Sequence, residues 1–332
     1  MRLYENFEDL PSPGDPCVVT IGSFDGLHRG HRLLIDKVRA HAREAGLQSA
    51  VLTFRPHPAR LLAPSYSPPL LMPPERKVRA LEFLGLDLIL VQRFDRSFAD
   101  LPAEDFSRRV LAEGLSARRV VIGDDFTFGH DRRGTAESLR DLGKQHGFEV
   151  EIVKRLSVEG MLVSSTRVRS FLLQGKVRGA ALLLGRPYHI EGEVVTGQGR
   201  GKKLGFPTAN VKTGAEILPA RGVYVCQFHV QGDSEGRWAV CNVGHNPTFG
   251  HQELGLEVHV LSSPGELLGK KVAVGFLKRL RAEVRFESPK ALAEQIAGDV
   301  EDALRVKDQQ NGGVELDGVD GIVLDSGVVS HR

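Results

Sequence analysis

Two rhythms of apolar residues divide this chain. In its first half, short β-branched runs alternate with stretches in which apolar residues return every three or four positions. Residues 18–21, Val-Val-Thr-Ile, form such a run and read as a buried strand, which Gly22 and Gly26 then break. A helix opens at His31, with Leu34, Val38, Ala42 and Ala45 on its apolar side and Gly46 at the place of a C-cap. Residues 49–54, 86–91, 119–123 and 148–153 predict further strands, and 73–84 and 102–113 predict helices between them. Strands alternating with helices of this length predict an α/β domain with a doubly wound parallel sheet.

The rhythm changes near Arg186-Pro187. Alternating strands separated by glycines follow over 188–195, 222–230, 237–243, 256–261 and 271–280, which predicts a small antiparallel β-barrel. One helix closes it: Ser288 and Pro289 suit its cap and first turn, and Leu292, Ile296, Val300 and Leu304 recur every four positions. The expected organisation is therefore 1–185, 186–306 and a disordered tail over 307–332, where 321–324 could pair briefly.

Composition narrows the function. A 332-residue chain that is 41% hydrophobic and 26% charged is ordinary for a globular protein of two domains. Its net charge of +2, from 44 basic and 42 acidic residues, argues against a nucleic-acid partner. Cys17, Cys226 and Cys241 lie far apart without metal-ligand spacing, which fits reduced thiols and a cytoplasmic location. The opening residues lack the apolar core of a signal peptide, and no apolar run approaches the ~20 residues that span a bilayer.

The candidate chemistry sits at strand ends. Strand, glycine turn and helix start at 18–31 make a place for phosphate, because the turn approaches closely and the helix end offers free N–H groups. His28 and His31 flank Gly30 there and can donate to phosphate oxygens, although the same spacing also suits a turn with two surface histidines. Arg55-Pro56-His57-Pro58 leaves the second strand as an extended segment and reads equally as a rigid solvent loop. Gly123-Asp124-Asp125-Phe126-Thr127-Phe128-Gly129 could hold a ribose or a flat ring, or be a turn with two solvated aspartates. Val163-Ser164-Ser165-Thr166-Arg167-Val168-Arg169 precedes a helix expected at Phe171, either as an anion site or as a plain N-cap with exposed arginines.

In the second half, residues 197–210 run Gly-Gln-Gly-Arg-Gly-Lys-Lys-Leu-Gly-Phe-Pro-Thr-Ala-Asn. Glycines and lysines here can wrap phosphates, yet no Gly-Lys-Ser/Thr enters a helix, so this is not a P-loop. Thr208 and Asn210 offer a hydroxyl and an amide oxygen, suitable for a magnesium ion already held by ATP. A flexible hairpin is the plain alternative. Glu257, in Leu-Glu-Val-His-Val, reads by itself as an outward residue of an alternating strand.

Phe-Asp-Gly-Leu-His-Arg-Gly-His at 24–31 resembles the nucleotidyltransferase superfamily signature. With Gly22 before it, the stretch is similar to the adenylyltransferase half of bacterial bifunctional riboflavin kinase/FAD synthetases. The 197–210 stretch resembles the riboflavin kinase signature, and Gly222-Val223-Tyr224 and Asn242-Val243-Gly244-His245-Asn246-Pro247-Thr248-Phe249 stand in family order. The resemblance covers residues 15–306. It implies a riboflavin kinase and FMN adenylyltransferase in one chain, taking riboflavin, FMN and ATP with Mg2+, releasing FMN and FAD, with flavoproteins as candidate recipients. The oligomeric state is left open.

By resemblance, His28 and His31 are catalytic, and Gly22, Phe24, Gly30, Ser165, Thr166 and Arg169 lie at ATP. His57, from a Phe-x-Pro-His-Pro of the nucleotide site, joins Asp125, Phe126 and Phe128 on the flavin side. In the barrel, Glu257 is the implied catalytic carboxylate, Gly199, Lys203, Gly205 and Pro207 lie at ATP, Thr208 and Asn210 at the metal, and Arg281 and Phe286 against the flavin. The chain departs from the family pattern at Glu266-Leu267-Leu268-Gly269-Lys270, at Ser262-Ser263 and at Ser23. Class I aminoacyl-tRNA synthetases share the His-x-Gly-His idea, but no lysine-rich partner loop accompanies it here. The alternatives are a chain with only one of the two activities and a non-catalytic flavin- or nucleotide-binding protein.

Overall fold

The structure, a computed structural model, describes residues 1–12, 14–197, 199–233, 235–245, 254–262 and 265–311. The chain divides into two compact units, Met1–Ser165 and Thr166–Arg332. The first is built on strands β1 (Arg2–Tyr4), β2 (Cys17–Ile21), β3 (Gln48–Arg55), β4 (Leu88–Arg93) and β5 (Ala117–Gly123). A two-residue hairpin, β6 (Thr127–Phe128) and β7 (Gly134–Thr135), precedes β8 (Glu149–Val153), and β9 (Ser157–Val158) pairs with β10 (Met161–Leu162). Six of these strands form one parallel sheet in the order β1-β4-β3-β2-β5-β8.

The uninterrupted apolar runs have a simple cause: both faces of this sheet are covered. Val18, Val51, Ile89 and Val121 face α1 (Arg29–Ala45) and pack with its Ile35, Val38 and Ala42. After the short α2 (Pro58–Leu62), Leu81 of α3 (Pro74–Phe83) joins the same cluster. On the other face, Val19, Leu52, Leu90 and Val120 pack with Val110 and Leu111, and with Leu139 from a further helix. Between β4 and β5 lie α4 (Arg96–Ala99), α5 (Ala103–Asp105) and a π-helix over Phe106–Gly114; Leu139 belongs to α6 (Ala136–His146). Each of these fully buried aliphatic side chains contributes roughly 1.5–3 kcal/mol.

The chain leaves β2 for β3 on one side and returns on the other as β5, so the strand order reverses between β2 and β5. Ligands of open α/β sheets bind at the carboxyl ends of the strands beside such a reversal. The turns after β2 and β5 both emerge there.

The second unit begins inside α7 (Ser165–Leu173), continues through α8 (Val177–Leu184) and closes into a six-stranded antiparallel barrel. Its elements are β11 (Tyr188–Val195), α9 (Arg200–Lys203), β12 (Ala209–Lys212), β13 (Gly222–Val230), β14 (Arg237–His245), β15 (Leu254–Val260) and β16 (Lys271–Arg281). Tyr224, Phe228, Phe276, Leu256 and Val258 are fully buried in it. Outside the barrel, α10 (Pro289–Asn311) lays Ala303 and Val306 on Val223, Val225, Val240 and Leu277. Ser288 caps that helix, its Oγ accepting from the Ala291 N–H at 3.1 Å.

Several expectations change. The first helix starts at Arg29 with His28 as its N-cap rather than at His31, because the His28 ring can satisfy a free N–H. The helix expected from Phe171 begins at Ser165, so the Ser-Thr motif forms its first turn. The stretch read as a plain helix over 102–113 is a short α-turn followed by π-helix. The barrel has six strands rather than five, because residues 209–212 pair with both β11 and β15. Residues 307–311, assigned to the tail, continue α10, while 312–332 lie outside the described residues.

The cysteines are unpaired and buried. Burial pushes the Cys17 thiol up to about 12 and moves Cys226 upward as well, helped by its hydrogen bond with Cys241.

Candidate active sites

The turn after β2 is a strained piece of backbone. Phe24 and Leu27 hold positive φ of 50° and 42° without being glycine, and Gly26 lies between them at 81°. Left-handed backbone costs about 1–3 kcal/mol at a residue with a Cβ, so it persists only where its surroundings impose it. Here they do. The Asp25 carboxylate accepts from the Leu71 N–H at 2.9 and 3.0 Å and from the Met72 N–H at 3.3 Å. The Ser165 hydroxyl donates to the Asp25 carbonyl at 2.9 Å. A Cβ on Gly26 would stand 2.6 Å from Leu71 Cδ1, so glycine is required for space as well as for φ.

This turn delivers two histidines to the start of α1. His28 Nδ1 accepts the His31 N–H at 3.2 Å. Because Nδ1 is an acceptor, the neutral ring carries its proton on Nε2, which is thereby a donor. The two imidazoles stack with centroids 3.5 Å apart and planes 12° from parallel. Gly30 makes that possible: a Cβ there would lie 3.3 Å from the His28 ring. Phe24, fully buried, meets His31 edge-on at 5.1 Å, so its ring supports the histidine from the core. Gly22 is bound through its N–H to the Leu52 carbonyl at 3.0 Å.

The other residues expected around this turn divide. His57 caps α2, its Nδ1 accepting from the Ala59 N–H at 3.2 Å, so the segment after β3 is a helical turn rather than an extended loop. Asp125 is exposed at the end of β5. Phe126 and Phe128 stack at 5.6 Å, but Phe128 is buried against Phe106 and belongs to the core cluster. Thr166 and Arg169 are in the second unit, Arg169 at 8% exposure. Lys77, buried on α3 and hydrogen-bonded to Ser23 of the turn, was not foreseen. Its signal was a lysine four positions before the buried Leu81, on the apolar face of its helix.

In the barrel, strand register builds the second site. Glu257 stands opposite Asn210 on β12 and Asn242 on β14, so the three form one row across adjacent strands. Their neighbours Val211, Leu256 and Val243 point into the barrel, which puts the row on its outer face. The glycine-rich segment folds back over that face. The Pro207 carbonyl hydrogen-bonds His259 Nδ1 at 2.8 Å, and Phe206 meets the same ring edge-on at 5.6 Å. A Cβ on Gly201 would lie 2.3 Å from the Phe206 carbonyl and 3.1 Å from Thr208 Oγ1. A Cβ on Gly197 would collide with the Asn210 amide, so Thr208 and Asn210 are both held under the loop.

Gly199 and Gly205 turn this loop with φ of 66° and 85°. The Lys203 side chain lies outside the described residues, as do Gln198 and 246–250. Glu283 was not singled out in the sequence; its Oε1 comes within 2.7 Å of where a Gly244 Cβ would be, beside the Asn242 amide. Arg281 is clamped: its Nε and Nη2 donate to the two Asp299 oxygens at 2.8 and 2.7 Å, and its guanidinium lies 5.7 Å from the Phe286 ring centre.

A turn suited to phosphate in one unit and a differently built loop beside a carboxylate in the other are what a transferase with two separate nucleotide sites needs, and the chain falls into that class. A family model described as FAD synthetase matches residues 11–167, and one described as riboflavin kinase matches 184–307. A bifunctional riboflavin kinase/FMN adenylyltransferase of Pseudomonas fluorescens is 37% identical over 302 residues, which is 90% of this chain and 96% of that protein. One of Bacillus subtilis (strain 168) is 36% identical, covering 87% and 92%. A solved structure described as a macrolide-efflux protein from Streptococcus pneumoniae shares 34% identity and a TM-score of 0.80, covering 90% of this chain and 97% of that one. Among the described residues no helix is long and apolar enough to cross a membrane. The chain belongs to the family of bifunctional riboflavin kinase/FMN adenylyltransferases.

Proposed function

We propose that this chain converts riboflavin to FMN in its barrel and FMN to FAD in its parallel-sheet unit, using one ATP for each step. The observation that supports this reading is the presence, in one chain, of two differently built clusters of residues suited to phosphate. The first pairs stacked imidazole donors with a capped helix start. The second sets a carboxylate in register with an amide beneath a glycine-rich loop.

In the kinase step, the 5′-hydroxyl of riboflavin attacks the γ-phosphorus of ATP. The new P–O bond forms as the bond to ADP breaks, and Glu257 accepts the hydroxyl proton. Thr208 and Asn210 would hold a magnesium ion that arrives with ATP, through neutral oxygens, and that ion would offset negative charge on the phosphates. Gly199, Lys203, Gly205 and Pro207 form the loop over the phosphates, while Arg281 and Phe286 lie toward the flavin.

In the adenylyl step, an FMN phosphate oxygen attacks the α-phosphorus of the second ATP and pyrophosphate leaves with the bonding electrons. The nucleophile is already ionised, so no base is required. His28 and His31 donate to the oxygens on which charge gathers, with Ser165, Thr166 and Arg169 assigned to the same ATP. His57, Asp125, Phe126 and Phe128 are assigned to the flavin side. The segment through residue 185 is assigned to this step, 186–306 to the kinase, and the location to the cytoplasm.

Chromatography of flavins after incubation with riboflavin, magnesium and ATP tests the reading. FMN followed by FAD is the expected result. Riboflavin unchanged, with added FMN unchanged as well, would overturn it.

A further inference from the structure

Lys77 is a buried cation that neither reaction step uses. It sits in the first half of α3 at 7% exposure, on the side packed against the sheet. Its ammonium donates to the Ser23 carbonyl at 3.0 Å, to Thr53 Oγ1 at 2.9 Å and to the Phe54 carbonyl at 3.1 Å. Three N–H donors thus meet three neutral oxygens. Thr53, itself fully buried, donates to the same Ser23 carbonyl at 3.3 Å.

The placement of those acceptors matters more than their number. Ser23 precedes the positive-φ residue Phe24 in the turn that delivers His28 and His31. Thr53 and Phe54 lie in the last part of β3, just before the segment that carries His57. One side chain therefore ties the phosphate turn to the neighbouring strand exit. A strained turn needs such ties, and the others, at Asp25 and Ser165, act further along it.

We propose that Lys77 is a positioning residue of the adenylyl-transfer site, holding the Ser23 carbonyl against the end of β3 so that the turn presents its two histidines in the reactive arrangement. The inference rests on the reading of the first unit as the adenylyltransferase. Burial costs an ammonium its hydration, so a lysine is retained here only with its donors satisfied. Burial lowers its pKa from the usual value to about 8, with Asp25 of the turn opposing the shift and Arg55 at the end of β3 adding to it. Arg55 is itself 3.6 Å from Glu75 of α3. Arg76 stands beside Lys77 on the same helix, and α1 contributes the site histidines, His28 and His31.

The sign of the pH effect separates positioning from stability. A lysine whose folded pKa is lowered burdens the fold while charged, and that burden is relieved as pH rises from about 8 toward the unfolded value near 10.4. Loss of the proton therefore does not loosen the fold. It does remove one donor and the charge that hold Ser23. Adenylyl transfer should fall above pH 8 while thermal stability does not.

The test is FAD formation from FMN and ATP, and FMN formation from riboflavin and ATP, measured against pH for the full chain, Lys77→Met and Lys77→Arg. Displacement of a reacting group by about an ångström costs on the order of a hundredfold, so Lys77→Met should lose roughly tenfold to a hundredfold in kcat for FAD formation. Its FMN formation should be unchanged. Lys77→Arg, whose guanidinium does not titrate in this range, should recover part of the rate and lose the alkaline decline. Lys77→Met with the wild-type rate, or an alkaline decline that persists in Lys77→Arg, would overturn the inference. Loss of both activities in Lys77→Met and Lys77→Arg alike would also overturn it, in favour of a purely structural lysine. A wild-type chain that makes FMN but no FAD would overturn the underlying reading, and the inference with it.

Discussion

The two candidate phosphate sites are built on opposite principles. In the parallel-sheet unit, the turn at 22–28 places ordinary residues, Phe24 and Leu27, in left-handed backbone and holds them there with buried bonds from Asp25, Lys77 and Ser165. In the barrel, the loop at 199–207 reaches the same kind of backbone only at glycines, Gly199 and Gly205, where an added Cβ would meet nothing within 4 Å. The first site is preorganised and stiff. The second is a loop that turns at glycines and folds back over a row of strand residues. The difference suits the reactions: adenylyl transfer joins two ionised phosphates and needs fixed donors, whereas a kinase must exclude water around a reactive γ-phosphoryl group and then release its product.

The largest expected effect isolates the barrel. Glu257→Gln should reduce riboflavin phosphorylation by about 10²–10⁴-fold, the usual worth of a general base, and leave FAD formation from added FMN intact. Equal loss of both activities would erase the distinction between the sites. In the other unit, His31→Ala should cost roughly 10²–10³-fold in FAD formation, as removal of a donor to developing charge does, with FMN formation unchanged. Both are read by separating the flavins.

Stability effects come next. Asp299 is 3% exposed and holds Arg281 through both oxygens, with Gln295 adding a third bond at 3.1 Å. Breaking a buried pair from one side leaves an uncompensated charge, so Asp299→Ala should destabilise the barrel by about 3 kcal/mol. Trp238, the single tryptophan, lies on β14 beneath α10, so its fluorescence follows this unit during unfolding. Gly26→Ala should cost about 2 kcal/mol in the first unit, where left-handed strain adds to the clash with Leu71. Circular dichroism would register that loss while the Trp238 signal stayed in place. Gly205→Ala, with open space around it but a φ of 85°, should cost about 1 kcal/mol from the left-handed backbone alone, less than Gly26→Ala.

The smallest effect is a pH shift. The Ser49 hydroxyl at 2.6 Å and its N–H at 2.8 Å hold the Asp87 carboxyl below its usual range. Its contribution is present above the unfolded pKa and is lost as pH falls through the lower folded value. Ser49→Ala should therefore move acid unfolding of the first unit slightly toward higher pH, followed by circular dichroism.

Much of this was legible in the residues. The 18–31 stretch announces strand, turn and histidines in order, because β-branching, glycine and a helix start each leave a local mark, although the cap at His28 was not read there. From its own strand pattern Glu257 was legible only as an outward residue; the family resemblance marked it as the catalytic carboxylate, and register sets it beside Asn210. Residues 209–212 escaped notice as a strand, since a four-residue run after a glycine-rich loop has little periodicity to show. The π-helix over Phe106–Gly114 keeps an apolar side, so its pattern of apolar positions reads as an ordinary helix. Lys77 was missed for the reverse reason: lysine normally marks a solvated face, and only the tertiary placement of Ser23, Thr53 and Phe54 makes a buried one tenable.

The central claim is that one chain carries two independent transferase sites, and mixing two damaged chains tests it directly. Glu257→Gln and His31→Ala would each be given riboflavin, magnesium and ATP, alone and then together in one vessel. The account predicts no FAD from Glu257→Gln alone, FMN without FAD from His31→Ala alone, and FAD from the mixture, as FMN made by one chain is consumed by the other. FAD from either variant alone at the wild-type rate, or a mixture that stops at FMN, would contradict it.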